Sequence, residues 1–489
     1  MVTLALGAFL TRDQLGTVTI AVAVLNMAAM VQLLGVYDVL SRTRYDPLTF
    51  AGSLATMTLV TGLVAAALLA ALAGPLAQLL GAPQAPGPIR AVALTLPFTA
   101  YVGIQFAYLH RRLDFKARLL PDAGSALVGA AVTVVAAAAG AGAWSLVAGV
   151  VVTAVLGPAL ALLGGVRVPL RWDRDHVAEA LGWMKVVGPA ALLGVLLLNI
   201  DYVVVTRVLG EAATGLYSYA YRFAFVPYIM VAVVLGGVAF PVYTRLMDDG
   251  GPAAVAPALT RLLHAQLAVV VGLYLLLALL APRIVVIDVR WAPSAPVVTV
   301  LSLYGVLLCL VAAGHDATRA IGRPTTYLQA MALHVALLAL FATVAVHAGG
   351  WSATGLPGTG PAAGVEPSVA AGIVGVAWAQ VGAAAVTVLL VYLRLGRARV
   401  LQRRAVRALV GPLSAAALTG AGFVAVAEVA GLPADDSLPG LVVVALALSL
   451  TYGGVLLAVD RAAIGEIVGL LRGRRTAPAI AAATTTATT

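Results

Sequence analysis

Charged residues divide this chain into long apolar runs, and the length of those runs decides the first question. A helix needs about 20 mostly apolar residues to cross a hydrocarbon core about 30 Å thick. Runs of that kind cover residues 17–37, 50–73, 91–109, 123–140, 145–166, 186–206, 216–240, 266–282, 297–314, 326–347, 369–393, 409–427 and 438–458. They predict thirteen full spans, preceded by a shorter run over residues 2–11. No charge lies between Asp122 and Arg167, so two spans share that interval. Gly140 and Gly142, in AGAGAW, predict the hairpin between them. The expected fold is an all-α polytopic membrane protein of about fourteen transmembrane helices, the first truncated.

Composition agrees. The chain is 62% hydrophobic and 10% charged, against about 45–50% and 25% for soluble domains. A soluble fold of 489 residues could not hide that much apolar surface from water. The 50 glycines and 25 prolines are tolerated in membrane helices, where neighbours re-satisfy freed backbone groups. The single cysteine, Cys309, sits in an apolar run, offers no disulfide or thiolate cluster, and reads as a core residue. Met1 leads into apolar sequence without a basic region, so no cleavable signal peptide is expected.

The net charge of +10 does not point to nucleic acid, because the cations lie in short loops between apolar runs. Counting residues 2–11 as the first span, loops after even-numbered spans and the tail hold 24 of the 30 Lys and Arg. Loops on the other side hold 5, namely Arg12, Arg90, Arg207, Arg283 and Arg290, and Arg222 falls within a span. That alternation is a positive-inside signal. It predicts a multi-pass inner-membrane protein with both termini cytoplasmic and the neutral segment 348–365 facing outward.

The chain also carries an internal echo. Residues 9–21 read FLTRDQLGTVTIA and residues 204–220 read VVTRVLGEAATGLYSYA. Each has Thr-Arg at the end of an apolar run, a polar turn, and Gly opening the next span. The two matches begin halves of the same in/out sense, which predicts two six-helix bundles in parallel repeat. The bundles cover 1–166 and 186–395, joined by a cytoplasmic amphipathic linker over 167–185. A terminal helix pair follows over 396–460, then a basic, low-complexity cytoplasmic tail over 461–489. Ten residues precede the first Thr-Arg and about twenty the second. Ten residues reach about 15 Å, half the hydrocarbon core. Either the natural start lies upstream, or a short helix packs inside the bundle. In the linker, Trp172, Leu181 and Trp183 among charges read as a helix lying in the interface.

Several stretches, taken in order, resemble one family. In residues 104–149, Gln105 precedes Arg111-Arg112, Phe115 and basic residues follow, and Gly140-x-Gly142-x-Trp144-x-Leu146 closes a hairpin. In residues 199–246 come Asn199-x-Asp201-Tyr202, a Gly215-x-Tyr217 turn, and Phe240-Pro241-x-x-x-Arg245. VRWAPSAP at 289–296 and GRPTTY at 322–327 complete the pattern. The sequence is similar to oligosaccharide flippases, the Wzx-type branch of the MOP superfamily. The resemblance implies transfer of undecaprenyl-pyrophosphate-linked oligosaccharide from the cytoplasmic to the outer leaflet for cell-surface polysaccharide assembly. It implies lipid-linked oligosaccharide and membrane lipids as partners, polysaccharide polymerase or ligase machinery as a further one, and no cofactor.

Such a task needs a polar, cationic chamber between rigid bundles that opens alternately to each side. Arginine suits the head group because its planar fork donates paired hydrogen bonds to phosphate. Arg222, in the first third of the eighth span among Tyr217, Tyr219, Tyr221 and Tyr228, is the foremost substrate-binding candidate. An ionisable group in a span needs a cavity or a partner, and snorkelling or an ion pair with Asp201 are the alternatives. Tyr219, Tyr221 and Tyr228 either stack on sugar rings or form an interfacial belt. Asp201 and Asp38 are candidates to bind a coupling proton or sodium ion, or else balance nearby arginines. Arg42, Arg44, Arg111 and Arg112 either gather pyrophosphate at the cytoplasmic mouth or anchor the helices. Asn199, Gln105, Gln380, His315 and His334 read as interhelical glue.

No HExxH, Walker or Gly-x-Ser-x-Gly motif appears, so no enzyme is predicted. Asp435 and Asp436 form an acidic pair in an outer loop, where a solvated or capping role is ordinary. A MATE-like cation/drug antiporter is the alternative transporter and would carry buried carboxylates with few cavity arginines. A membrane glycosyltransferase or ligase would need a large outer loop with paired carboxylates. A non-transporting assembly scaffold is the remaining reading.

Overall fold

The computed structural model describes residues 2–32, 36, 39–40, 43–112, 114–285, 289–348, 366–401, 403–430 and 438–471. Asp38, Arg42, most of the 348–365 loop, Asp435, Asp436 and the tail from residue 472 lie outside them.

Every regular element among the described residues is a helix. In chain order these are α1 (Val2–Phe9), α2 (Arg12–Gln32), α3 (Pro47–Leu80), α4 (Pro86–Ala93), α5 (Leu96–Arg111), α6 (Phe115–Leu119), α7 (Ser125–Ala138) and α8 (Ala143–Leu163). There follow α9 (Arg174–Pro227), α10 (Val234–Val285), α11 (Ala295–Ala320), α12 (Pro324–Ala348), α13 (Pro367–Arg397), α14 (Arg403–Ala430), α15 (Leu438–Val459) and α16 (Arg461–Leu471). Short π-helical turns over Leu120–Gly124 and Tyr228–Val233 and a 3₁₀ turn over Val289–Ser294 join some of them.

Nine stretches among the described residues are long and apolar enough to cross a membrane, or ten if the bent pair α4 and α5 makes one span. One stretch, Leu192–Arg283, is 92 residues long. At 1.5 Å per residue it would reach about 138 Å as a single rod, several times the hydrocarbon thickness. Its helical course is broken at Gly210 (φ 86°) and Gly251 (φ 68°), where the backbone leaves helical geometry. The chain is a multi-pass, all-α membrane protein.

The chain divides into two compact units, Met1–Tyr219 and Ala220–Thr489. In the first, α3 illustrates how sequence becomes structure. Asp46 caps it by accepting the Thr49 N–H at 2.9 Å, Pro47 opens the first turn, and Gly81 ends it in the left-handed region at φ 71°. The Thr49 N–H holds the exposed Asp46 carboxyl below its ordinary range. One face of α3 buries Phe50, Ser53, Leu54, Met57 and Thr58, and packs on Ile104, Ala107, Val168 and Val177. The other exposes Val60, Val64, Leu68 and Leu72, spaced four apart, each at least half accessible. Apolar side chains point outward and hydroxyls inward, which suits lipid as the surrounding medium. Residues 164–173 form no helix, and side chains satisfy part of their backbone. Gln105 Nε2 donates to the Val166 carbonyl at 3.0 Å, and the Tyr101 hydroxyl to that of Val168 at 2.9 Å. The predicted hairpin is present, with Gly140 at φ 83° and Gly142 at φ 54° between α7 and α8.

The two glycines of the internal echo, Gly16 on α2 and Gly215 on α9, meet each other's helix. A Cβ on Gly16 would collide with the Glu211 carbonyl, and one on Gly215 with the Arg12 carbonyl. The backbones therefore lie in direct contact, and polar groups finish the joint. The Thr17 hydroxyl donates to Glu211 Oε2 at 2.6 Å, and that of Thr19 to Ser218 Oγ at 3.0 Å. The Gln84 N–H donates to Glu211 Oε1 at 3.1 Å. Small residues with hydroxyl glue are the usual means of joining membrane helices closely.

The second unit packs α10, α11, α12 and α13 around Tyr243, Leu259, Leu263, Leu310, Val391 and Leu395. Buried tyrosines lock it by donating to main-chain carbonyls: Tyr274 to Ala224 at 2.8 Å, Tyr392 to Leu310 at 3.1 Å and Tyr452 to Ala268 at 2.8 Å. His264 of α10 lies between carboxylates, 2.6 Å from Asp460 and 2.9 Å from Glu466, which fastens α16 to this unit.

Two stability predictions follow from the α2–α9 joint. Gly16→Val lowers the thermal unfolding temperature of the purified protein in detergent, because overpacking costs about 1–3 kcal/mol. Gly74→Ala, where a Cβ meets nothing within 4 Å, leaves that temperature unchanged. In a double-mutant cycle, Thr17→Val and Glu211→Gln give a coupling energy of about 0.5–2 kcal/mol. Strict additivity of the two would mean that the hydroxyl and carboxylate act independently.

Candidate functional site

Polar groups buried in apolar helices mark where a membrane protein works, because each costs several kcal/mol unless it is partnered. Many here are self-sufficient. The hydroxyls of Thr58, Thr133, Ser302, Thr318 and Thr387 each donate to the carbonyl four residues earlier in their own helix. The informative ones reach further, and α9 carries a concentration of them.

In the first unit, Asp201 is fully buried. Its carboxylate accepts the Tyr217 hydroxyl at 3.0 Å and the Tyr202 N–H at 2.9 Å, and the Tyr202 and Tyr217 rings meet edge-on at 5.9 Å. The break at Gly210 lets Tyr217 fold back toward Asp201 across one continuous stretch of chain. Thr206 and Thr214 bridge the same break at 2.7 Å. Glu211 sits on the far side of the break and is held by Thr17 and Gln84. Tyr219 is fully buried, and a Cβ on Gly7 would come within 2.6 Å of its hydroxyl.

Of the four arginines expected at a cytoplasmic mouth, Arg44, Arg111 and Arg112 are described and fall in the same unit. Arg111, at the end of α5, donates Nη2 to the Thr43 carbonyl at 3.3 Å, which brings it beside the segment carrying the exposed Arg44. Arg112 is exposed and lies 5.6 Å over the Tyr108 ring. Arg42 and Asp38 lie outside the described residues.

In the second unit, Arg222 is half-buried on α9. Beside it runs an aromatic ladder set by three- and four-residue helical spacing. Tyr221 stacks on Phe225 at 5.5 Å, and Phe225 meets Tyr228 tilted by 35° at 5.0 Å. Arg222 and these rings thus share one short stretch of chain. Cys309 is buried, and its carbonyl accepts from Gln266 at 3.3 Å. Among the described residues no group of three or more His, Cys, Asp or Glu is arranged so that it could hold a metal ion.

Sequence reasoning passed over Glu211, Asp316 and Arg319. Glu211 stands inside the internal echo, so a carboxylate at a repeat position was the available signal. Asp316 and Arg319 looked like ordinary charges at the end of a span, and only the neighbouring helices distinguish them.

A family profile described as "Polysaccharide biosynthesis protein" matches residues 5–296. The succinoglycan biosynthesis transport protein ExoT of Rhizobium meliloti (strain 1021) is 29% identical over 311 residues, covering 61% of this chain and 60% of that protein. The chain thus spans about six-tenths of the length of this curated relative. Among solved structures, the lipid II flippase MurJ in an inward closed conformation aligns with a TM-score of 0.66 at 11% identity, covering 94% of this chain and 99% of that one. An inward-facing multidrug resistance transporter of the MATE family of the MOP superfamily aligns with a TM-score of 0.62 at 14% identity, covering 81% and 94%. Identities that low speak to fold alone, and the fold is similar to that of these two transporters. With more than half of its length matched by the family profile, this chain belongs to the polysaccharide biosynthesis protein family.

Proposed function

We propose that the protein moves a lipid-linked oligosaccharide, its glycan joined to a polyprenyl carrier through pyrophosphate, from the cytoplasmic to the outer leaflet for assembly of a surface polysaccharide. The observation that carries this reading is the match to the polysaccharide biosynthesis family over residues 5–296, and the half-buried Arg222, next in sequence to the Tyr221–Phe225–Tyr228 row, is the cation it singles out. A guanidinium stays charged when dehydrated and offers phosphate a planar fork of donors. Aromatic faces offer sugars a stacking surface. The name of the relative that transports in succinoglycan biosynthesis supports the cargo class, and the fold shared with a lipid II flippase supports a lipid-anchored substrate.

On this reading the chain crosses an inner membrane about fourteen times with both termini cytoplasmic, as the alternation of cations predicts. The predicted bundles over 1–166 and 186–395 supply the rigid bodies of an alternating-access cycle. Asp201 is the candidate for binding a coupling proton or sodium ion, since its carboxylate is buried and poised on the Tyr217 hydroxyl. Polymerase or ligase machinery on the outer side consumes the product.

Arg222→Ala tests the proposal in cells that depend on this protein for surface glycan. The expected outcome is a drop of about tenfold or more in lipid-linked glycan at the outer face, the loss of one charge-assisted contact of about 1.5–3 kcal/mol. The variant's abundance and unfolding temperature should match those of the parent, and Arg222→Lys should retain part of the activity. Outer-face labelling of the alanine variant at the parental level would remove Arg222 from the mechanism.

A further inference from the structure

Near the end of α11, Arg319 is held as few exposed arginines are. Its Nη2 donates to Asp316 Oδ1 at 2.6 Å. Its guanidinium carbon lies 4.9 Å from the centre of the Phe240 ring, on α10, and 5.5 Å from that of Tyr327, on α12. Three helices thus fix one planar cation, yet 44% of its side chain stays accessible. The clamp has its own supports. Tyr327 is braced edge-on by His315, with ring centres 4.8 Å apart at 90°. Asp316 lies against Gly236 so closely that a Cβ there would stand 2.8 Å from Oδ2. Phe240 belongs to the Phe-Pro-x-x-x-Arg segment and Tyr327 to GRPTTY, two motifs with no other assigned role.

A structural staple does not need this construction. Asp316, with 14% of its side chain accessible, gains a counter-charge from Arg319, but an ion pair three residues apart on one helix needs no rings from two other helices to form. What the arrangement achieves is a guanidinium whose torsions are already fixed while most of its five N–H donors remain for another acceptor. Preorganisation of that kind strengthens binding by removing the cost of ordering a long side chain. The charge of the acceptor follows from Asp316. One carboxylate is already in place, so a second monoanion gains little over it. A phosphate or pyrophosphate, with two or more negative charges and several oxygens, gains more and can share the fork with Asp316.

We propose that Arg319, clamped by Phe240, Tyr327 and Asp316, binds the phosphate or pyrophosphate group of the substrate at the end of the second unit that the charge alternation assigns to the cytoplasm. The inference rests on the flippase reading and adds to it a binding residue distinct from Arg222. Asp316 acts as a resident competitor that tempers the affinity. Arg245 and Arg323 fall on the same predicted side and add to the attraction of an anion.

The test uses the full chain in phosphatidylcholine nanodiscs, with inorganic pyrophosphate and undecaprenyl pyrophosphate as separate probes. Arg319→Lys keeps the charge and loses the fork, and is expected to weaken binding about tenfold, equivalent to about 1.4 kcal/mol. Asp316→Asn removes the competitor and is expected to tighten binding several-fold, which a purely structural pair would not do. Unfolding temperatures identify any variant that has lost its fold, and Gly74→Ala, outside the clamp and with nothing within 4 Å of the added Cβ, serves as the neutral control. Equal effects on both probes identify the recognised group as phosphate from any source, whereas effects confined to the polyprenyl probe identify a lipid head group. Both support the proposal. Parental affinity for both probes in Arg319→Lys and Asp316→Asn would overturn it, and would leave the flippase reading intact if outer-face glycan persists in cells. A parent chain that binds neither probe and exports no glycan would sink both.

Discussion

Hydrocarbon provides no hydrogen-bond partner, and that single constraint shapes what this chain can be. Every buried N–H and C=O must be met from within the protein, which leaves helices or closed barrels as spanning elements; this chain's described elements are helices, and lipid draws their apolar side chains outward. Helix α3 shows the result directly, with valines and leucines on its exposed face and Ser53 and Thr58 on its buried one. The same constraint sorts the polar side chains. A threonine bonded to the carbonyl one turn back costs its helix nothing outside itself. A threonine bonded to a carboxylate on another helix, as Thr17 is to Glu211, makes two segments of chain answer for each other.

The joint of α2 with α9 depends on that second kind of bond. Backbone contact at Gly16 and Gly215 brings carbonyls of each helix against the other, which would be unproductive in water and is favourable in lipid. Close approach replaces the missing hydrophobic drive between helices with packing and short hydrogen bonds. Glu211 then has acceptor capacity to satisfy, and Thr17 and the Gln84 N–H supply the donors. Had the glycines been larger, the carboxylate would have stood away from its donors. Packing and electrostatics at this joint are therefore one arrangement.

How much of this was legible in the sequence follows from the same physics. Span placement is a one-dimensional property, because insertion depends on summed transfer energy along a window. The hairpin at Gly140 and Gly142 was readable for a similar reason, since it lies in a charge-free interval too long for one crossing. The echo of residues 9–21 in 204–220 located both glycines of the joint, although nothing in the alignment says that the two copies touch. Helix rotation was not legible. Whether a polar residue faces its own backbone, lipid or another helix depends on packing angles set by residues far off in the chain. Thr17 and Glu211 are 194 positions apart. Arg319 read as one more cation of the positive-inside pattern, because the rings that distinguish it stand on α10 and α12.

The environments of the arginines bear on how a carrier can release what it binds. Site affinity in a transport cycle must be high enough to load and low enough to unload. A fork of guanidinium donors facing a pyrophosphate without opposition would hold it firmly, since paired charge-assisted hydrogen bonds to phosphate are strong ones. Asp316 moderates such a hold at Arg319, because each phosphate oxygen that arrives must share donors with a carboxylate already present, and each one that leaves is replaced at once by that carboxylate. The guanidinium is never left without an acceptor, so its loaded and empty states differ less in energy than they would for a bare cation. A small difference of that kind is what reversible loading at the mouth of a carrier requires, and a clamp built from two rings and one acid supplies it without moving the backbone.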